Sequence, residues 1–348
     1  MRASEVWICE PGQVAVRPGE SQTPASGEVG VRTRVCGISP GTELLAFRGA
    51  LPESGEDAEI DPHAGHNQYP MRTGYCLVGK VDAVGEDVDR SWIGQRVFAF
   101  HPHASRATVP ADSIIPLPDS VSDERATFIP NLETAIGLVH DARPMLGERV
   151  VVLGQGIVGL LVTRLLSRYP LELLAVADPV PERRERGLTM GADVAVDPAA
   201  RRDMSKLEDR LRLEDRPGAD LVLELSGNPA GLNDAIALAG FGGRIVAGSW
   251  YGNKPAGIDL GGRFHRNRIS LISSQVSTIS PDLTGRWTKQ RRMGRVLRLL
   301  PELQLEELIT HRVPLEQAGR AFELVDKNPA ESLQVVLAAN EDDTDGSS

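Results

Sequence analysis

The segment RVVVLGQGIVG, residues 149–159, constrains the fold more than any other part of the chain. An unbroken apolar run bounded by glycine reads as a strand buried on both faces. Gly154, Gly156 and Gly159 follow it at once, and IVGLLVTRLLSRY then repeats apolar residues at helical spacing. The order required is a strand that turns directly into a helix. Each glycine has its own reason to be there: Gly154 permits the tight turn, Gly156 lets the backbone approach a pyrophosphate, and Gly159 lets helix and strand pack closely. At the helix start, around Ile157 and Val158, free N–H groups and the helix dipole favour an anion. Asp178 ends the next strand, LELLAVAD, about 20 residues further on. A carboxylate there accepts the ribose 2′-hydroxyl of NAD and repels the 2′-phosphate of NADP.

The surrounding sequence supports a dinucleotide site. Strands LELLAVAD, DVAVD, ADLVLELSG and GGRIVAGSW alternate with helical patterns such as PERRERGLTMGA, which implies a parallel, doubly wound sheet over residues 133–278. The expected cofactor contacts are Gly154, Gly156, Ile157, Val158, Gly159, Asp178, Arg183, Ser226 and Gly248. NAD is expected ahead of NADP. Arg183 and Arg184 would soften the repulsion, or form a solvated helix face.

On either side of this domain the pattern changes. Residues 1–132 carry short alternating runs broken by Gly and Pro, among them EVGVRTRVCGISPG and YCLVGKVDAVG, which read as strands of a barrel-like domain. The polar stretch from Leu51 to Met71, with His63 and His66, reads as a long loop. Two helices, RRMGRVLRLLPE and LEQAGRAFELVDK, precede a terminal strand, SLQVVLAA, whose natural sheet is that of the first domain. The expected division is 1–132 with 279–340, 133–278, and a disordered acidic tail at 341–348. A net charge of −10 argues against nucleic-acid or anionic-membrane partners. Three cysteines form no disulfide framework, and no apolar run suits a signal or a membrane span. A soluble cytoplasmic protein acting on a small molecule is expected.

The ordered motifs EVGVRTRVCGISPGTE, TGYCLVGKVDAVGEDV, VVLGQGIVG, GGRIVAGSWYG and LITHRVPLEQAGRAFELV together resemble the medium-chain dehydrogenase/reductase superfamily, over nearly the whole chain. The resemblance implies a GroES-like β-barrel catalytic domain beside the Rossmann domain, a catalytic cleft between them, and homodimers or homotetramers. CGISPGTE and HPHASRATVPADS add a likeness to zinc-lacking members around bacteriochlorophyllide dehydrogenase.

Against that pattern the departures carry the most information. Cys36 stands at the family's first zinc-ligand position, but Tyr75 replaces the His, Cys76 the following Glu, and the third position falls at Pro130 or Asn131. One donor of three does not hold zinc, which needs three protein ligands and an open position. The structural-zinc lobe is missing too, with only Ala104 and Ser105 between FAFHPH and RATVPAD. Zinc is therefore not expected. The alternative is a shifted site using Cys36 and Cys76 with Glu133 or a histidine; otherwise the two cysteines are small buried side chains. Without metal, a side chain must move the proton. Tyr75 is the first candidate, Glu133 the second, and Ser39 the third. His101 and His103 share one face if extended, as a binding pair or as a loop feature. His265, Arg266 and Arg268 suit a carboxylate or are solvated. The reading is a zinc-independent NAD(P)(H)-dependent oxidoreductase of alcohol/ketone or enone type. Its alternatives are a zinc-dependent alcohol or polyol dehydrogenase with an altered site, and a cofactor-binding redox sensor or structural relative without turnover.

Overall fold

The computed structural model describes residues 2–52, 68–213 and 216–339. Its first stretch contains β1 (Arg2–Glu10), β2 (Gln13–Glu20), β3 (Glu28–Ile38), α1 (Thr42–Phe47), β4 (Met71–Arg72), β5 (Leu77–Val84), β6 (Arg96–Ala99), β7 (Arg106–Pro110), β8 (Ile115–Pro116) and α2 (Asp123–Ala126). The middle holds α3 (Ile129–Ala142), β9 (Arg149–Leu153), α4 (Ile157–Leu166), β10 (Leu173–Ala177), α5 (Pro181–Thr189), β11 (Val194–Val196), α6 (Arg201–Arg210), the short ribbon β12 (Arg212–Leu213) and β13 (Arg216–Pro217), β14 (Ala219–Glu224), α7 (Gly231–Leu238), β15 (Ala239–Ala247), β16 (Ser270–Ser273) and α8 (Lys289–Leu299). The last part has β17 (Ile309–Pro314), α9 (Ala318–Lys327) and β18 (Gln334–Ala338). His63, His66 and residues 341–348 lie outside the described residues.

Two compact units result: 1–130 with 297–348, and 131–296. The sequence-based boundaries were 132/133 and 278/279, so residues 279–296 belong with the second unit rather than the first. In the first unit the main sheet runs β17-β18-β3-β5-β6-β8, with β7 also on β3, beside a smaller sheet β2-β1-β4. The isolated terminal strand β18 thus joins the first unit's sheet, antiparallel to β3 and parallel to β17. Val6, Ile8, Val31, Cys36, Ile38, Leu77 and Phe322 are among the residues of its apolar core. Cys36 is directly opposite Leu77 across β3 and β5. Because strand side chains alternate, Cys76 belongs to the other face. It lies beside Gly37, its thiol bonded to the Thr127 carbonyl.

The second unit has one parallel six-stranded sheet in the order β11-β10-β9-β14-β15-β16. The order reverses beside β9, the switch point at which doubly wound sheets bind ligands. β9 and β10 are buried at every residue, apolar throughout except Arg149, which pairs with Asp220.

Glu133, the second proton-donor candidate, is committed to this unit's interior. Its Oε1 accepts bonds from Arg292 Nε (3.0 Å) and Nη2 (2.8 Å), tying α3 to α8. Both side chains are buried. This carboxylate supports the packing of two helices. Removing one partner of a buried pair strands the other charge, so Glu133→Leu should cost about 3–5 kcal/mol in urea unfolding. A variant as stable as the parent would show that the pair is not needed.

Candidate functional site

The second unit offers a cradle for a dinucleotide at the junction of β9 and α4. Gly154 has φ +93°, a conformation that L side chains rarely adopt, and a Cβ there would lie 2.6 Å from the Leu225 carbonyl oxygen. Gly159 sits still closer to its neighbour: its Cβ would be 2.0 Å from the Gly154 oxygen. Gly156 is the opposite case, for a Cβ there would meet nothing within 4 Å. It opens α4 with no side-chain cap. Open space beside uncapped helix N–H groups suits a pyrophosphate, so the residues present fit the cofactor.

Asp178 is almost fully buried. Its Oδ2 accepts Gln155 N–H at 2.7 Å and its Oδ1 accepts Val180 N–H at 2.9 Å. It therefore holds the glycine loop against the end of β10, a role the sequence did not suggest, and keeps lone pairs for a ribose hydroxyl. Arg183 lies 4.0 Å from this carboxylate, while Arg184 donates to the carbonyls of Asp178 and Pro179. Ser226 faces Glu224 at the end of β14, donating its N–H at 2.9 Å and its hydroxyl as well. The Tyr251 hydroxyl also donates to Glu224; burial first, then this carboxylate, raises the phenol's pKa. Gly248 has a packing reason, since a Cβ would collide with Leu138 and Leu225.

In the first unit, side chains from three separate segments converge. Glu43, in the first turn of α1, accepts Ser39 N–H on Oε1 (2.9 Å) and the Thr73 hydroxyl on Oε2 (3.2 Å). His103 Nε2 lies 2.9 Å from the same Oε2. Both partners are buried, at 3% and 0% exposure. Burial alone would push the imidazole pKa down, but the Glu43 charge and the bonds to Cys36 and Glu43 outweigh it and hold His103 up to about 10. Tyr75 is part-buried, with its hydroxyl against those of Ser39 and Thr42. Burial first, then Glu43, raises its pKa, so the phenol keeps its proton.

The structure brings Tyr75 and Ser39 together in the first unit, while Glu133, in the second, is engaged by Arg292. Sequence reasoning did not single out Glu43; an acid amid TELLAF, with a histidine pair downstream, was the available signal. His101 and His103 do not act as a pair. His101 Nδ1 lies 2.8 Å from the Pro102 oxygen, whereas His103 turns to Glu43. His265, Arg266 and Arg268 are exposed. The cluster does not fit catalytic zinc. Cys36 and Cys76 face opposite sides of the sheet, and Glu43 and His103 engage one another. Among the described residues, no three His, Cys, Asp or Glu side chains are placed to hold a metal.

Residues 25–119 match the profile of the alcohol dehydrogenase GroES-like domain, and residues 158–289 that of the zinc-binding dehydrogenase domain. The chain is 30% identical to L-threonine 3-dehydrogenase of Pyrococcus abyssi over 303 residues, which cover 85% of this chain and 77% of that one. It is 26% identical to D-guloside 3-dehydrogenase of Escherichia coli K12 over 333 residues, 91% and 94% of the two chains. Among solved structures, a short chain alcohol dehydrogenase (rspB) of Escherichia coli CFT073, complexed with NADH, superimposes with a TM-score of 0.76 at 22% identity, covering 97% of this chain and 99% of that one.

Gly159→Ala should weaken NADH binding, followed by fluorescence titration, by about tenfold or more, because overpacking the glycine turn costs about 1–3 kcal/mol. Unchanged affinity would place the cofactor elsewhere. The pH response tests the ion pair. With His103 raised from 6.5 to about 10, its stabilising contribution is complete below pH 6.5 and is lost as pH rises through about 10. Urea midpoints should therefore fall more steeply over that window in the parent than in His103→Gln; parallel slopes would contradict the pair.

Proposed function

As a chain that belongs to the medium-chain dehydrogenase/reductase superfamily, this protein is an NAD(P)-dependent dehydrogenase or reductase, and we propose that it works without zinc, with Tyr75 giving and taking the substrate's proton. The observation that carries the proposal is the buried Glu43–His103 pair beside Tyr75, in the region where zinc members carry their ligands.

Bound NAD supplies the hydride acceptor or donor. Gly154, Gly156 and the start of α4 hold its pyrophosphate, and Asp178 favours an unphosphorylated ribose, which supports NAD over NADP. Tyr75 stays protonated and so donates a hydrogen bond to a carbonyl oxygen; the Ser39 and Thr42 hydroxyls pass the proton onward. Running in reverse, the same hydroxyls accept the proton of a secondary alcohol. Similarity to dehydrogenases of threonine and of a guloside, both named for C3, supports a polar secondary alcohol or its ketone as substrate. The net charge of −10 fits a small substrate in a soluble cytoplasmic protein rather than a nucleic acid or a membrane. A homodimer or homotetramer is the assembly we propose, with the edge strand β16 available for pairing.

The test combines metal analysis with turnover of polyols, glycosides and β-hydroxy amino acids in the presence of NAD or NADP. Metal-free protein should be active, with NAD preferred. Tyr75→Phe should lower kcat by about 100-fold or more, in the range of lost general acid–base catalysis. About one zinc per chain, removed together with activity by chelation, would overturn the proposal. NADH binding without turnover of any substrate would favour a redox sensor.

A further inference from the structure

We infer that the buried His103–Glu43 pair is a positioning element: it clamps together the two chain segments that carry the proton-transfer hydroxyls and so sets Tyr75 for catalysis. The inference rests on the reading of Tyr75 as the acid.

The bonds of the pair lead to the segments that matter. Ser39 and Thr42 stand between β3 and the first turn of α1, and Tyr75 stands between β4 and β5. Glu43 Oε1 fixes the first segment through Ser39 N–H, and Oε2 fixes the second through the Thr73 hydroxyl. His103 reinforces the second segment twice. Its N–H donates to the Thr73 carbonyl at 2.8 Å, and its ring lies flat on Gly74. A Cβ on Gly74 would stand 2.6 Å from three ring atoms, and the residue has φ +101°, so position 74 admits no side chain. Tyr75 comes next in the chain, and the ring thereby sets where its backbone begins. The imidazole is itself held, by Val6 N–H on the His103 carbonyl at 3.0 Å and by the edge-on ring of Phe322 at 6.5 Å.

Stability alone is a poor reason for such a pair. Two charges taken out of water cost several kcal/mol each, and apolar side chains of similar volume often do as well or better. What an apolar pair cannot do is hold a backbone N–H on one segment and a hydroxyl on another from a single carboxylate. Neither Glu43 nor His103 touches the reacting atoms in this account; both act through Tyr75.

The experiment uses the full chain with NAD bound. All four tyrosines are replaced by 3-fluorotyrosine, and the ¹⁹F signal of residue 75 is identified by its absence in Tyr75→Phe. Spectra are compared for the parent, Glu43→Gln and His103→Gln. The same variants, alone and combined with Tyr75→Phe, are assayed with the alcohol that the parent oxidises fastest. The signal of residue 75 should move or broaden in both variants while the other three stay put. kcat should fall by up to about 100-fold, the effect of a misplacement of about 1 Å, with KM for NAD unchanged. In the Tyr75→Phe background the same changes should cost nothing more. An unmoved residue-75 signal in a folded variant, or losses that multiply in the combined variants, would overturn the inference. If Tyr75→Phe keeps the parental kcat while the signal still moves, the clamp stands and the assignment of Tyr75 as acid falls. If Glu43→Gln does not fold, His103→Gln carries the test, since it leaves the carboxylate and its bonds to Ser39 and Thr73 in place.

Discussion

A carboxylate withdrawn from water must find its hydrogen bonds inside the protein, and both units are organised around that need. Glu43 reaches Ser39 N–H, Asp178 reaches the N–H groups of Gln155 and Val180, and Glu224 reaches Ser226 N–H. In each case a buried acid side chain captures a backbone amide and ties down a loop that follows a strand. These loops carry the Ser39 hydroxyl, the glycine turn after β9 and the end of β14. Loops are ordinarily the soft part of a fold; here their geometry is set from beneath by charge that has nowhere else to go.

The two sites reach precision by different means. The dinucleotide cradle is built from backbone, and its requirement is the absence of side chains: Gly154 and Gly159 stand where any Cβ would strike a carbonyl, and Gly156 leaves an opening. The Glu43–His103 cluster is built from side chains that three separated segments bring together. The second has its carboxylate and imidazole shared among several partners, so substitutions within it should be strongly coupled.

The sequence revealed most where the signal is local. The Rossmann sheet was legible from RVVVLG, the glycine spacing and Asp178, because strand, turn and helix lie within one short window. β18 was legible by elimination, as an apolar terminal run with no nearby partner. Tyr75 and Ser39 stood out only as departures from a family pattern. Glu43 and His103 were not, because 60 residues separate them and each has an ordinary local reading, as a first-turn acid and as half of a histidine pair. The partner of Glu133 was hidden for the same reason: Arg292 lies 159 residues away. The parity that turns Cys36 and Cys76 apart depends on the register of β3 against β5, and one residue of slip would have reversed it.

The place of β18 has a consequence for how the protein is made. β3 ends at Ile38, yet one of its neighbours in the sheet begins at Gln334. During synthesis the second unit emerges whole and can close its sheet first, while residues 35–38 of β3 wait for β18. An open apolar edge is a site for wrong pairing. The first unit thus bears the longest loop closure, and the buried Glu43–His103 pair lies in the part of the molecule finished last.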